Sequence, residues 1–244
     1  MISYVFFEQI LKITAHLIAW YNENKRNLPW RHTKDPYRIW LSEIILQQTR
    51  VNQGLPYYNK FVSQYPKAAD LAKADEQEVL SLWQGLGYYS RARNMHAAAQ
   101  KIVSEHNGIF PNNYKDVLAL NGVGTYTAAA ICSFAFDLPH PVIDGNVIRF
   151  ISRLFAIALP IDKSDGRKTI EQAVNEVFDQ QHAATWNQAI MEFGAMHCTP
   201  KKPLCNTCPF QEKCLGYAQD MVASLPIKAG KTKVKKIDQH YFVF

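Results

Sequence analysis

Apolar residues recur three and four apart in one segment after another, and this helical period excludes most folds open to a chain of 244 residues. Val5, Phe6, Ile10, Ile13, Leu17, Ile18 and Tyr21 mark the first run. Asp35-Pro36 reads as an N-cap with proline in the first turn, opening a helix over YRIWLSEIILQQT. Further helices are expected over 52–64, 70–74, 76–84, 90–106, 112–119, 125–136, from Asp144 to about Leu159, over 166–180 and over 185–196. Strand-like alternation is confined to HYFVF at 240–244. About ten helices without a sheet predict an all-α chain of two packed helical lobes, divided near 138–141. The residues alone leave helix 5–23 with either lobe.

Composition narrows the class. With 48% hydrophobic and 20% charged residues the chain is globular and not disordered. No uncharged apolar run approaches the ~18 residues of a spanning helix. MISYVFFEQILKI, broken by Glu8 and Lys12, lacks the pattern of a signal peptide. The expected location is the cytoplasm, near the nucleoid, or the nucleus of a eukaryote, without a membrane partner. Of the net charge of +6, a net +4 falls in residues 228–244, from five lysines against Asp238. The remaining +2 permits an anionic partner without demanding one.

Four of the five cysteines form the series Cys198-x6-Cys205-x2-Cys208-x5-Cys214. Four thiolates in so short a run are candidate ligands of zinc or an iron–sulfur cluster. Cys205 and Cys208 make the only short knuckle of the zinc type, and the wider intervals fit a cube better. Lys201, Lys202 and Lys213 flank the loops, where they could offset the thiolates or face phosphates. Cys132, inside AAAICSFAF, reads as a buried small hydrophobe.

Leu120-Asn121-Gly122-Val123-Gly124-Thr125 joins two short helices. Gly122 and Gly124 allow positive φ and close approach. Amides at the start of the helix beginning at Thr125 would bind a phosphate without reading sequence. The alternative is an ordinary helical corner. Carbonyls of such a hairpin can also hold a monovalent cation.

Two carboxylates stand in apolar company. Glu43 is surrounded by Leu41, Ile44, Ile45 and Leu46, so it is either solvated on an outer face or buried with its pKa raised toward neutrality. Asp144 follows Pro141-Val142-Ile143 and precedes Gly145-Asn146, an N-cap position that would keep it ionised. One acidic and one anionic carboxyl are the pair used at oxocarbenium-like centres.

LNGVGTYTAAA, VIDGNV and the cysteine series together resemble the helix–hairpin–helix DNA glycosylase superfamily with an iron–sulfur cluster, over about residues 8–220. WLSEIILQQTRV and GLGYYSRARN are similar to its adenine DNA glycosylase (MutY) branch. The resemblance implies a two-lobed helix–hairpin–helix fold with a [4Fe–4S] cluster loop held by Cys198, Cys205, Cys208 and Cys214. It implies a six-helix barrel domain over 25–137, with the hairpin at about 112–136, and a cluster domain from 1–24 plus 138–220.

It further implies a monomeric, monofunctional enzyme that excises adenine mispaired with 8-oxoguanine or guanine from double-stranded DNA, the adenine being flipped out. Glu43 would be the catalytic acid and Asp144 the carboxylate facing the sugar cation, with Tyr126 and Asn146 orienting it. Trp30, Arg31, Leu46, Val51 and Gln188 match the adenine pocket, Gln48 and Tyr88 would fill or pry at the vacated site, and Thr49 and Leu86 are further substrate-binding positions. Gly122, Val123, Gly124, Thr125, Arg91, Lys201 and Lys202 would meet the DNA backbone. Tyr126 stands where bifunctional relatives carry a Schiff-base lysine, so strand-cleaving lyase chemistry is not expected.

Residues 221–244 resemble the linker, and the start, of a nudix-like domain that this chain would lack. The other readings are a G·T-mismatch thymine glycosylase or another pyrimidine glycosylase of the same superfamily, and a DNA-binding module without catalysis.

Overall fold

The computed structural model describes residues 4–230, and the side chains from Ile13 onward. Among these residues twelve α-helices follow one another: α1 (Tyr4–Asn24), α2 (Pro36–Leu46), α3 (Val51–Gln64), α4 (Ala68–Lys73), α5 (Glu76–Leu82), α6 (Ser90–His106), α7 (Tyr114–Leu118), α8 (Thr125–Phe136), α9 (Gly145–Leu154), α10 (Ser164–Val177), α11 (Ala183–Met196) and α12 (Leu215–Ala218). Short 3-10 turns occupy Pro29–Arg31, Cys205–Thr207 and Gln211–Lys213. No strand occurs among the described residues. HYFVF and most of the basic tail lie outside them.

Local chemistry accounts for the boundaries. The Asp35 carboxylate accepts the Tyr37 amide at 2.9 Å, with Pro36 as first helical residue of α2. α6 ends where Asn107 (φ 54°) and Gly108 (φ 75°) turn left-handed and the Gly108 amide reaches back to Ile102 at 3.0 Å. α9 is shorter than expected. It stops at Leu154, because Phe155 caps it and Ala156 turns to φ 51°.

Two hydrophobic cores form. One gathers Trp40, Ile45, Phe61, Trp83, Met95 and Ile131, from α2 to α8. The other gathers Leu17, Ile151, Val174, Trp186, Phe193 and Phe210, from α1, α9, α10, α11 and the cysteine segment. α8 packs on both α2 and α11 and so joins the lobes. It carries hydrophobic residues nearly all round, as a helix buried on several sides must.

Residues 225–230 are fastened to the second lobe. The Leu225 carbonyl accepts from Arg153 (3.2 Å), the Ile227 carbonyl from the Ile161 amide (2.9 Å), and the Ala229 amide donates to Asp162 (2.8 Å). Among the described residues no helix is long and apolar enough to cross a membrane.

Candidate active site

Where the lobes meet, a cavity of about 240 Å³ opens between α2, α8, the N-terminus of α9 and α11. Glu43, Tyr126, Asp144, Asn146, Gln188, Trp30, Arg31, Leu46, Thr49 and Val51 all line it. Residues scattered over the sequence thus meet in one place, which spacing alone could not establish.

Burial lifts the Glu43 carboxyl from the ordinary range to about 7, and the charge of Asp144 adds to the rise. The Tyr126 hydroxyl offers the carboxylate a hydrogen bond and moderates it. Tyr126 is itself held protonated, its own pKa pushed up by burial and by the two carboxylates.

Asp144 is the N-cap of α9. One carboxylate oxygen accepts the amides of Asn146 and Val147, both at 2.8 Å, and the other accepts the Asn146 side-chain amide at 2.6 Å. Burial moves its pKa upward, against the expectation of full ionisation at a helix N-terminus. The three hydrogen bonds and the nearby Arg149 pull it back. Arg149 in turn donates to the Asn146 side-chain oxygen at 3.0 Å, so Asn146 is oriented from both sides.

One side of the cavity was not foreseen. Glu192 on α11 is 1% exposed and accepts two hydrogen bonds from the Arg26 guanidinium (2.8 and 2.6 Å) and two from Arg31 (2.8 and 2.7 Å). The Arg26 amide adds a fifth at 2.9 Å. Burial would raise this carboxyl, but the two guanidinium groups outweigh it and hold it at about 2. The sequence signal was present, since a glutamate in AIMEFGAM needs a cation as much as Glu43 in its own apolar run. Arg31 is therefore fixed by Glu192, and its guanidinium lies against the Tyr21 ring, 5.7 Å from the centroid. Gln188 accepts the Tyr21 hydroxyl at 2.6 Å. Trp30 stands edge-on to Tyr58 with centroids 5.1 Å apart.

Gln48 and Tyr88 are exposed, and both have positive φ, 55° and 48°. Leu86 is buried beside Tyr88. Arg91, expected at the DNA backbone, is instead turned inward, with both terminal nitrogens spent on protein acceptors. Lys201 and Lys202 are exposed on the cysteine segment, away from the cavity lining.

In the hairpin the Val123 amide closes on the Leu120 carbonyl at 3.1 Å. Gly122 has φ 74°, and a β-carbon there would stand 2.8 Å from Asn94 Cβ, so glycine is required twice over. Gly124 does not use positive φ. It is the extended N-cap of α8 at φ −94°, with no side chain capping the helix amides. Val123 is buried, and Gly124 and Thr125 are exposed.

The cysteine segment departs from expectation. Cys198, Cys205, Cys208 and Cys214 line one small apolar cavity with Phe150, Phe193 and Phe210. However, among the described residues no group of three or more His, Cys, Asp or Glu side chains is arranged to hold a metal ion. The [4Fe–4S] cluster, the metal-ligand role of these four residues and the monovalent cation at the hairpin are therefore not supported. Two of the four sulfurs make hydrogen bonds to Arg153: Cys214 donates to its carbonyl (3.4 Å) and Cys198 accepts from its guanidinium (3.4 Å). Burial raises Cys208 to about 12 and pushes Cys205 and Cys214 upward. Cys132 is fully buried, its pKa raised by burial to about 11.

Comparison with known proteins points the same way as the all-α two-lobed architecture. Residues 41–180 match the family described as HhH-GPD superfamily base excision DNA repair protein. Over 244 residues the chain is 35% identical to the adenine DNA glycosylase of Buchnera aphidicola subsp. Baizongia pistaciae, covering all of this chain and 67% of that protein. It is 40% identical over 238 residues to the adenine DNA glycosylase of Rattus norvegicus, covering 91% of this chain and 46% of that one. The chain thus spans about half to two thirds of the length of these curated relatives. Among solved structures it is similar to a thermostable thymine-DNA glycosylase, with a TM-score of 0.79, 29% identity and coverage of 87% of this chain and 98% of that one. The chain belongs to the HhH-GPD superfamily of base excision DNA repair proteins, and within it to the adenine DNA glycosylase family.

Proposed function

We propose that this chain removes adenine mispaired with 8-oxoguanine or guanine from double-stranded DNA, acting as a monomer and without cutting the strand. The observation that carries the reading is Glu43, a half-buried carboxyl lifted to about 7 that shares a cavity with Asp144. A carboxyl at that value still carries a proton at neutral pH and can give it away.

In this reading a flipped adenine enters the cavity between Trp30, Leu46 and Val51. Arg31, held by Glu192, and Gln188, held by Tyr21, present fixed polar atoms to it. Glu43 protonates adenine N7, which makes the base a better leaving group. The C1′–N9 bond breaks toward an oxocarbenium ion. Asp144 stabilises that cation, its carboxylate aimed by Asn146 and the first amides of α9. Glu43, now ionised, takes a proton from the attacking water, the usual reuse of a carboxyl as acid and then base. Tyr126 stands where a lysine nucleophile would be needed for lyase chemistry.

The hairpin from Gly122 to Thr125, with the uncapped first turn of α8, clamps a backbone phosphate. Lys201 and Lys202, exposed on the cysteine segment, offer further positive charge to the backbone. Gln48 and Tyr88 pry at the duplex, and Thr49 lines the cavity that the base enters. Residues 25–137 form one domain, and the described part of 1–24 forms the other together with 138–220.

The test is adenine release from a duplex with adenine opposite 8-oxoguanine, run beside duplexes carrying A·G, T·G and thymine glycol. Adenine release, with strand breaks appearing only after hot alkali, supports the reading. Release of thymine or of thymine glycol in its place refutes it, and breaks without alkali refute the monofunctional chemistry.

A further inference from the structure

Arg91 looks in sequence like one more basic residue on an exposed helix, yet it is 9% exposed. Its Nη1 donates to the carbonyls of Ile44 (3.2 Å), Ile45 (3.0 Å) and Gln47, and to the Thr49 hydroxyl (3.2 Å). Its Nη2 donates to the carbonyls of Leu86 and Gly87, both at 3.2 Å. The first set belongs to the end of α2 and the loop after it. The second belongs to the loop before α6. One guanidinium therefore ties together two loops about forty residues apart in the chain, through a rigid fork that a point-charge ammonium cannot reproduce.

Each of these loops carries an exposed side chain on a residue with positive φ, Gln48 in the first and Tyr88 in the second. Left-handed backbone at such residues persists only where the surroundings over-determine it. The second loop is braced at each carbonyl from Gln84 to Gly87. Tyr57 Oη donates to Gln84 (2.7 Å), Gln53 to Gly85 (3.4 Å), Arg91 to Leu86 and Gly87, and Trp83 Nε1 to Gly87 (3.0 Å). The Arg91 guanidinium also lies 4.9 Å from the Trp83 ring centroid and 5.9 Å from that of Tyr88.

We propose that Arg91 is a positioning residue which fixes the spacing and aim of Gln48 and Tyr88, so that both enter the duplex as one rigid wedge. It acts on extrusion of the base and not on bond cleavage, and this rests on the adenine-removal reading above. A wedge already ordered loses no freedom on insertion, and that ordering cost would otherwise be subtracted from the energy available to unstack the base.

The experiment compares wild type, Arg91→Lys and Tyr57→Phe in single-turnover adenine release from two duplexes. In one the adenine is opposite 8-oxoguanine. In the other it is opposite a tetrahydrofuran abasic analogue and has no partner to be pried from. Arg91→Lys is expected to slow the paired substrate about tenfold or more and the unpaired one less than about threefold. Tyr57→Phe, which removes one bracing hydroxyl and no core volume, shows the same selective loss on a smaller scale. Equal loss on both duplexes, or loss on neither, overturns the proposal. If Arg91→Lys yields no folded protein, Tyr57→Phe decides alone: a selective loss supports the wedge and its absence refutes it. Wild type silent on both duplexes refutes the adenine reading and this proposal with it, whereas active wild type with unselective variants refutes only Arg91's role.

Discussion

Asp144 and Glu43 line one cavity from opposite lobes, and the charge of Asp144 adds to burial in lifting the Glu43 carboxyl to about 7. Neither residue has this property alone. Glu43 without its apolar helix would be an ordinary surface acid, and Asp144 without the lobe contact would be only a helix cap.

This pairing makes the protein's stability depend on pH through Glu43. The folded state binds its proton more tightly than the unfolded chain does, so the contribution is fully present below the unfolded value near 4.5 and is lost as pH rises to about 7. Glu43→Gln removes a group that is costly to ionise. The variant is expected to be more stable than wild type at pH 8, by on the order of 2–3 kcal/mol, with little difference at pH 4. Urea titrations at the two pH values measure it. A variant less stable at pH 8 would place Glu43 in solvent.

Asp144→Asn separates capping from chemistry. The amide oxygen can still accept the Asn146 and Val147 amides, but its NH2 meets the Asn146 side-chain amide as donor against donor, so about 1–3 kcal/mol of stability should be lost. The negative charge facing the sugar is gone, and adenine release should fall by at least about a thousandfold. Thermal melting and single-turnover rates together check this. Near-normal rates would reduce Asp144 to a cap.

Glu192→Gln leaves Arg26 and Arg31 without their shared counter-charge. Truncating one member of such a buried network typically costs about 3–5 kcal/mol. Because burial is outweighed by the arginines and Glu192 sits at about 2, its contribution is present above the unfolded value near 4.5 and fades as pH falls toward 2. The variant's deficit should therefore be large at pH 7 and small at pH 2.5. A deficit independent of pH would mean that Glu192 acts by packing alone.

Gly122→Ala meets two obstacles, a φ of 74° and a β-carbon 2.8 Å from Asn94 Cβ. About 1–2 kcal/mol of stability should be lost, along with affinity for any duplex irrespective of sequence. Binding titrations on matched and mismatched duplexes measure the second effect. Loss confined to the mismatch would move the hairpin from backbone clamp to base reader.

The structure shows which of these features a sequence can carry. Caps are local, so Asp35-Pro36 and Asn107-Gly108 mark helix ends directly. The apolar pattern runs on to Leu159, whereas α9 stops at Phe155-Ala156 with neither glycine nor proline to mark the end. Glu43 and Asp144 stand out because each breaks an apolar pattern, but their meeting depends on α8 packing against both lobes, which no local pattern encodes. The inward turn of Arg91 is hidden for a related reason. Its acceptors are backbone carbonyls, which have no signature in the sequence. The cysteine spacing suggests ligands, yet among the described residues no group is arranged to hold a metal, and Cys198 and Cys214 are hydrogen-bonded to Arg153.

The most direct test of the account is the single-turnover rate of adenine release from an A·8-oxoguanine duplex as a function of pH, in wild type and Glu43→Gln. A general acid near 7 must be protonated to act, so the wild-type rate should fall as pH rises through about 7. Glu43→Gln should bind the duplex and release no adenine at any pH. A wild-type rate flat from pH 5 to 9, or turnover retained by Glu43→Gln, would contradict it.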